Sequence, residues 1–388
     1  MAFNPSRRDF LSAGLVVPLA GAGSRLGLFN QPAGDTGEAP ASPVKPAYRT
    51  LGRTGLKVTT VGMGCMITSD PSVVARALDS GINYFDTARG YQHGNNERMV
   101  GAALGPRRKQ VVLSTKTEAR NRDGALRQLD TSLRELNTDY IDIWFLHGKD
   151  SPEDADDNLI EAQQIAKQQG KIRFAGISTH SSPVMAPWMA QKGIFDVMLT
   201  VFNFSMGTDV AQAIETAAQS GMGIIAMKVM AGGFREQRPG SSIYDKLSQP
   251  GTPLAALKWV IHHPAIATTI PSITDADQLE ENVRAMQEPF SASDAKLLAA
   301  HLERISPIYC RMCGQCESAC PKGLPVANTL RCLMYAQGYG QFALGREKFI
   351  ELVGDRGANC ADCHACSAAC PHGVDVAGRM RRAQELFA

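Results

Sequence analysis

Charge of one sign is what this chain lacks: 40 Lys and Arg stand against 38 Asp and Glu. A balance that close leaves no electrostatic footprint for nucleic acid or an anionic membrane surface, and it points to a small molecule or another protein as partner. Apolar runs of membrane length are missing near the N-terminus as well, because the run from Ala13 to Ala22 falls short of the ~20 residues a spanning helix needs. No G-x-G-x-x-G follows the first apolar β-rich stretch, which counts against a doubly wound open sheet, and there is no flavin fingerprint. Cysteine is scarce until late in the chain: only Cys65 lies before residue 310, and nine more crowd between Cys310 and Cys370. Such crowding beside a large domain with one cysteine argues against a disulfide framework and for a local cofactor site.

At the N-terminus, Ser6-Arg7-Arg8-Asp9-Phe10-Leu11 precedes the apolar run, which ends in the small residues Ala20-Gly21-Ala22. Arginine pair, apolar run and small-residue site, in that order, resemble the twin-arginine export signal. The resemblance implies a periplasmic or otherwise exported protein, a signal over 1–22 cleaved after Ala22, and no stable membrane span afterwards. A basic tail before an ordinary helix and an uncleaved anchor are the alternatives. Residues 23–46, rich in Pro, Gly, Ala and Ser from Gln31 on, read as a linker. A large domain over 47–296 and a small one over 297–388 follow, as the chain length allows.

Within the large domain, apolar β-rich runs alternate with amphipathic stretches. The expected strands are Val58–Cys65, Asn83–Ala88, Val111–Lys116, Ile141–His147, Ile172–Thr179, Val197–Asn203, Gly223–Val229 and Ala267–Ile273. Eight strands, each followed by a helix, make an α/β fold of the (β/α)₈ TIM-barrel class. The runs are continuously apolar, as strands buried on both faces should be. Tyr48–Lys57, with Gly52 and Gly55, reads as a hairpin closing the bottom of the barrel.

Chemistry in such barrels sits where the strands end. Four polar residues fall there: Asp86 and Tyr91 in Phe85-Asp86-Thr87-Ala88-Arg89-Gly90-Tyr91, Lys116 in Leu113-Ser114-Thr115-Lys116, and His147 in Ile143-Trp144-Phe145-Leu146-His147. With these motifs in this order the sequence resembles the aldo-keto reductases over roughly 48–290, and the resemblance implies the catalytic roles. A carbonyl that receives hydride gathers negative charge on oxygen and needs a proton. Tyr91 is the expected acid, and Lys116 the cation expected to steady the phenolate and to lower the phenol pKa by a unit or two. Asp86 would hold Lys116, and His147, as neutral imidazole, would hydrogen-bond the carbonyl oxygen. Read without the resemblance, the four are a structural ion pair, a rim aromatic and a core histidine. Arg89 is a candidate pocket residue and His93 a surface one.

The resemblance also implies a nicotinamide cofactor, NADP or NAD, and here the sequence departs from the family pattern. Gly176-Ile177-Ser178-Thr179 stands where the family has Gly-Val-Ser-Asn, so Ser178 is kept while Thr179 replaces an amide. Leu199 aligns with the family's glutamine, and Met227 with the tyrosine that stacks on nicotinamide; Met227 can still pack against a ring. Ser272 and Gln278 stand where basic residues often hold a 2′-phosphate, so NADP is not favoured over NAD. Lys228, Arg284 and Asn282 complete the candidate cofactor contacts.

In the small domain, Cys310-x2-Cys313-x2-Cys316-x3-Cys320-Pro321 is repeated as Cys360-x2-Cys363-x2-Cys366-x3-Cys370-Pro371. This is the run of bacterial ferredoxins and implies two [4Fe–4S] clusters. The fourth cysteine of such a run usually ligates the other cluster. One cluster is therefore assigned Cys310, Cys313, Cys316 and Cys370, and the second Cys360, Cys363, Cys366 and Cys320. Structural zinc takes four ligands in paired spacings and leaves awkward extras here. Cys65 and Cys332 read as buried apolar residues. Helix-forming residues over Val326–Leu352 resemble an α-helical ferredoxin-like arrangement, and tandem cluster motifs behind such a barrel match a group of reductases with a ferredoxin-type domain. The expectation is an exported iron–sulfur oxidoreductase interconverting a small carbonyl and an alcohol, with a redox protein as a possible partner. The alternative is an electron-transfer protein whose silent barrel serves as scaffold.

Overall fold

The computed structural model describes residues 45–232, 250–354, 360, 363 and 366–387. The arginine pair, the N-terminal apolar run and most of the loop 232–248 lie outside the described residues. A short antiparallel hairpin, β1 (Tyr48–Thr50) with β2 (Lys57–Thr59), comes first, with Tyr48 opposite Thr59 and Thr50 opposite Lys57. Eight parallel strands follow: β3 (Met63–Gly64), β4 (Tyr84–Asp86), β5 (Val112–Thr117), β6 (Ile141–Leu146), β7 (Ile172–Thr179), β8 (Val197–Val201), β9 (Gly223–Met227) and β10 (Ile266–Thr269). They pair in sequence order, and single bridges Val61 to Thr269 and Gly64 to Ser272 close the sheet into a barrel.

The apolar runs are continuous because each strand buries both faces. In β6, Ile143 and Phe145 join the interior cluster with Val112, Val197, Leu199 and Ile225. Trp144 and Leu146, alternating with them, pack against the surrounding helices, as does Ile141 at the start of the strand. The hairpin plugs the bottom, where Leu51 is fully buried and the Arg53 amide donates to the Gly221 carbonyl at 2.7 Å.

The first expected strand, Val58–Cys65, proves to be two pieces. Val58 and Thr59 pair in the hairpin, and only Met63–Gly64 joins the barrel. Glycine makes that short strand possible, since a Cβ at Gly64 would collide with the Ile270 carbonyl oxygen across the closing seam. The expected second strand is likewise trimmed to Tyr84–Asp86.

Barrel and C-terminal helices pack into one compact unit. Ala231 of the barrel shares an apolar cluster with Ile305, Tyr309 and Met334, and Asn203 Nδ2 donates to Tyr309 Oη at 3.1 Å. After the helix Val326–Leu333 comes a π-helical turn, Met334–Gly338, then the helix Phe342–Val353. π turns are rare and cluster at functional sites. This one lies against the loop after β9, so closely that a Cβ at Gly338 would overlap the Gly232 carbonyl oxygen.

Candidate active site

Strand ends bring the four expected residues together. Lys116 Nζ donates to Asp86 Oδ2 at 2.5 Å, to the Thr87 carbonyl at 2.7 Å and to Tyr91 Oη at 3.3 Å. Lys116 and Asp86 are each 1 % exposed, and the other Asp86 oxygen accepts from Ser114 Oγ at 2.6 Å. The ammonium thus has three acceptors in a fixed fork, one of them the candidate acid. The His147 ring stands edge-on to Tyr91, with centroids 6.0 Å apart.

The proton affinity of Tyr91 runs opposite to expectation. Burial raises the phenol well above its ordinary value, and Asp86, Tyr335 and Glu118 push it the same way. Desolvation of a phenolate under the C-terminal helices, beside a carboxylate, outweighs the lysine. Tyr91 therefore keeps its proton through the neutral range, as a donor must.

His147 is held by a residue the strand-end pattern did not single out. Glu118, two positions after Lys116, places Oε1 3.0 Å from His147 Nδ1. The imidazole holds the Glu118 carboxyl below its ordinary range, so it is ionised and can only accept. Burial pulls His147 below its own ordinary value despite that neighbour, so the ring is neutral at pH 7. The nearby Glu118 carboxylate favours the tautomer with its proton on Nδ1, which leaves Nε2 a lone pair. With its proton on Nδ1 the ring would accept from a hydroxyl; the expected hydrogen bond to a carbonyl oxygen needs the other tautomer. Lys348 of the helix Phe342–Val353 adds its charge at Glu118.

The cofactor contacts divide. Ser178 Oγ accepts from the Gly148 amide at 2.8 Å and retains its own proton to donate. Thr179 is fully engaged: its hydroxyl donates to Asp150 Oδ1 at 3.1 Å and accepts from the Ser181 amide at 2.9 Å. Gln278 is engaged too, its amide tied to Thr274 and to Asp275 Oδ2 at 2.6 Å in a helix cap. Leu199 is sealed in the interior and Met227 packs half-buried at its edge. Ser272 is bridged to Gly64 through the closing seam, and Arg284 pairs with Glu288 at 2.8 Å. Lys228 stands at the mouth beside Tyr335. Arg89 turns to the buried Glu97, with which it pairs at 2.5 Å. His93 is on the surface, 3.4 Å from Glu347.

Asn282 carries the strongest sign of a nucleotide. It is fully buried, and among the described residues neither its amide nitrogen nor its oxygen has a partner. An unpaired buried amide costs about 1–3 kcal/mol, which a bound group offering both an acceptor and a donor would offset. Asn282→Leu is expected to raise the apoprotein's stability by about 1–2 kcal/mol in urea unfolding and to weaken dinucleotide affinity at least tenfold. Unchanged affinity in a folded variant would remove Asn282 from the nucleotide site.

In the C-terminal domain the cysteines gather in two groups. Burial pushes the Cys310 thiol up to about 12, with further pressure from Cys316, Cys313 and Cys370. Cys360 is raised by burial and then by Cys366, Cys363 and Cys320. Each group contains the fourth cysteine of the opposite run. Among the described residues no three of these side chains are drawn together as a metal would need, so the fit to iron–sulfur clusters rests on the spacing of the two runs. Cys65 and Cys332 are buried outside both groups.

Comparison with known proteins agrees with this geometry. The aldo/keto reductase family profile matches residues 69–249 and 241–303, and a 4Fe-4S dicluster domain profile matches 309–374. An uncharacterised oxidoreductase of Bacillus subtilis, YqkF, is 27 % identical over 298 residues, 66 % of this chain and 96 % of its own length. Methylglyoxal reductase DkgB of Escherichia coli O157:H7 is 27 % identical over 262 residues, covering 63 % and 93 %. Among solved structures, the holo form of aldo-keto reductase AKR11C1 from Bacillus halodurans superposes with a TM-score of 0.57 at 27 % identity, over 66 % of this chain and 96 % of that one.

Proposed function

Since this chain belongs to the aldo/keto reductase family, we propose that it is an exported, nicotinamide-dependent oxidoreductase that interconverts a small carbonyl and an alcohol. The observation that carries the reading is the fork of Lys116 on Asp86 and Tyr91, a group a mere scaffold has no use for. Tyr91 holds the proton that the carbonyl oxygen takes up. Lys116 faces the phenolate left behind, and Asp86 keeps Lys116 aimed at it. His147, with its proton on Nδ1, accepts from a hydroxyl, which favours a substrate carrying an alcohol next to the carbonyl. Ser178 would donate to the carboxamide and Asn282 would face the adenine, whereas Thr179 and Gln278 have no free group to offer. The nicotinamide supplies hydride when bound.

Cys310, Cys313, Cys316 and Cys370 would hold one [4Fe–4S] cluster, and Cys360, Cys363, Cys366 and Cys320 the other. Such clusters carry single electrons, and a redox protein partner is the natural recipient. Export by the twin-arginine route, which moves folded and cofactor-loaded chains, accords with clusters inserted beforehand and rests on Arg7-Arg8 with the apolar run behind them. A second reading, a silent barrel that only presents the clusters, draws on the engagement of Thr179 and Gln278.

Anaerobic titration of the cluster-loaded protein with NADH and NADPH separates the two. Nicotinamide fluorescence is expected to report saturable binding, and electron paramagnetic resonance to report whether the clusters are reduced with it. Absence of binding by either nucleotide would make the scaffold the standing explanation.

A further inference from the structure

The mouth of the barrel contains a second group of polar side chains that the proton-transfer scheme leaves unused. Lys228 follows β9 with φ at +55°, a left-handed backbone that a residue with a side chain adopts only when its surroundings enforce it. The enforcement is visible: the Lys228 carbonyl accepts from Asn203 Nδ2 at 3.0 Å, and that same amide reaches Tyr309 of the C-terminal domain. Lys228 Nζ lies 5.4 Å from the Tyr335 ring centroid, over its face. Tyr335 rides on the π turn. Arg331, four residues earlier on the same helical run, lies close enough for its charge to be felt at both Lys228 and His180.

Among the described residues these cations have no ion-pair partner, and Asp150 acts on Lys228 only from a distance. The nearby carboxylate, Asp150, is occupied by three donors: the His180 amide at 2.6 Å, the Thr179 hydroxyl at 3.1 Å and His180 Nδ1 at 3.3 Å. Burial lowers His180 to about 4, so it stays neutral and adds no charge of its own. Among the described residues, no carboxylate lies within ion-pair distance of Lys228 or Arg331. Two partly buried cations and a phenol converge where the reacting end, Tyr91, is already within range of Tyr335. Unpaired cations beside a hydroxyl are what an oxyanion requires.

We propose that Lys228, Arg331 and Tyr335 form an anion site shared between the two domains, which holds a carboxylate or phosphate oxygen group beside the reacting carbonyl. Two of its three groups come from the cluster domain, so that domain completes the barrel's pocket. The anion belongs either to the substrate or to the dinucleotide. The site depends on the reductase reading only for what reacts next to it, and anion binding is measured without turnover, so failure of one leaves the other standing.

The experiment is calorimetric titration of the full, cluster-loaded protein with inorganic phosphate and with acetate. Wild type is expected to bind phosphate. Lys228→Gln, Arg331→Gln and Tyr335→Phe should each weaken it at least tenfold at unchanged iron content and melting temperature, while Lys228→Arg restores it. No phosphate or acetate binding by wild type, or equal binding by folded Lys228→Gln and Lys228→Arg, overturns the proposal. The source follows from NADP⁺ affinity in the same variants. A parallel tenfold loss, with phosphate competing, assigns the anion to the nucleotide. Unchanged NADP⁺ affinity, with a raised KM for a carboxylated aldehyde against a neutral one of equal length, assigns it to the substrate.

Discussion

Tyr91→Phe is expected to reduce aldehyde turnover by about 10²–10⁴-fold, the usual contribution of a positioned proton donor. The substitution keeps the ring and removes only the hydroxyl. Lys116 retains Asp86 and the Thr87 carbonyl as partners, so folding and nucleotide affinity should be unchanged. The pH dependence follows from the direction of the shift. Because burial, then Asp86, raise the phenol, the protonated form that reduction needs persists through neutrality and past the ordinary tyrosine value. Reduction by wild type is therefore expected to run flat from pH 6 to about 10 and to fall only beyond the raised pKa. Stopped-flow loss of nicotinamide absorbance with a panel of short aldehydes measures both. A variant keeping more than a tenth of wild-type turnover, or a wild-type rate that declines between pH 7 and 9, would take the acid role away from Tyr91.

The second large effect is on stability. Lys116→Met leaves the Asp86 carboxylate, 1 % exposed, without its cation. Breaking a buried pair from one side costs about 3–5 kcal/mol, much of it the desolvation of the charge left behind. The double variant Lys116→Met with Asp86→Leu removes both charges and should recover most of that loss, though not turnover. Guanidinium unfolding of the three proteins gives the comparison. A single variant as stable as wild type would mean that water reaches Asp86. A double variant no better than the single one would assign the cost to packing around Lys116 instead.

What the sequence made legible follows a physical rule. The eight strands announce themselves because burial on two faces demands nearly continuous apolar runs, as in Ile143-Trp144-Phe145-Leu146. The start of the first run misleads because Val58 and Thr59 satisfy a hairpin instead. Asp86, Tyr91, Lys116 and His147 are legible because each closes a strand or follows one closely. Glu118 and Tyr335 are not. One is an ordinary acid in a loop, the other an ordinary aromatic on a helix, and both acquire meaning only through contacts with partners distant in the chain or in another domain. Side-chain type is readable where its use is not: Thr179 offers a hydroxyl in sequence, yet in the fold it is bonded on both sides. The cysteine spacing is legible because each run is a local pattern, and the 4Fe-4S dicluster match over 309–374 falls on both runs.

The bare backbone contact between Gly338 and Gly232 bears on how such a chain could be recombined. Modules joined by a loose tether can be exchanged like beads, but here the two halves interlock at a point with no room for a single methyl group. A cluster domain transplanted from elsewhere would seat on this barrel only if its own turn arrived with glycine at the same spot. Any other residue would act as a wedge, prising Tyr335 off the mouth while each half remained folded. Shuffling would then yield proteins that carry iron and a sound barrel yet have lost the shared wall between them.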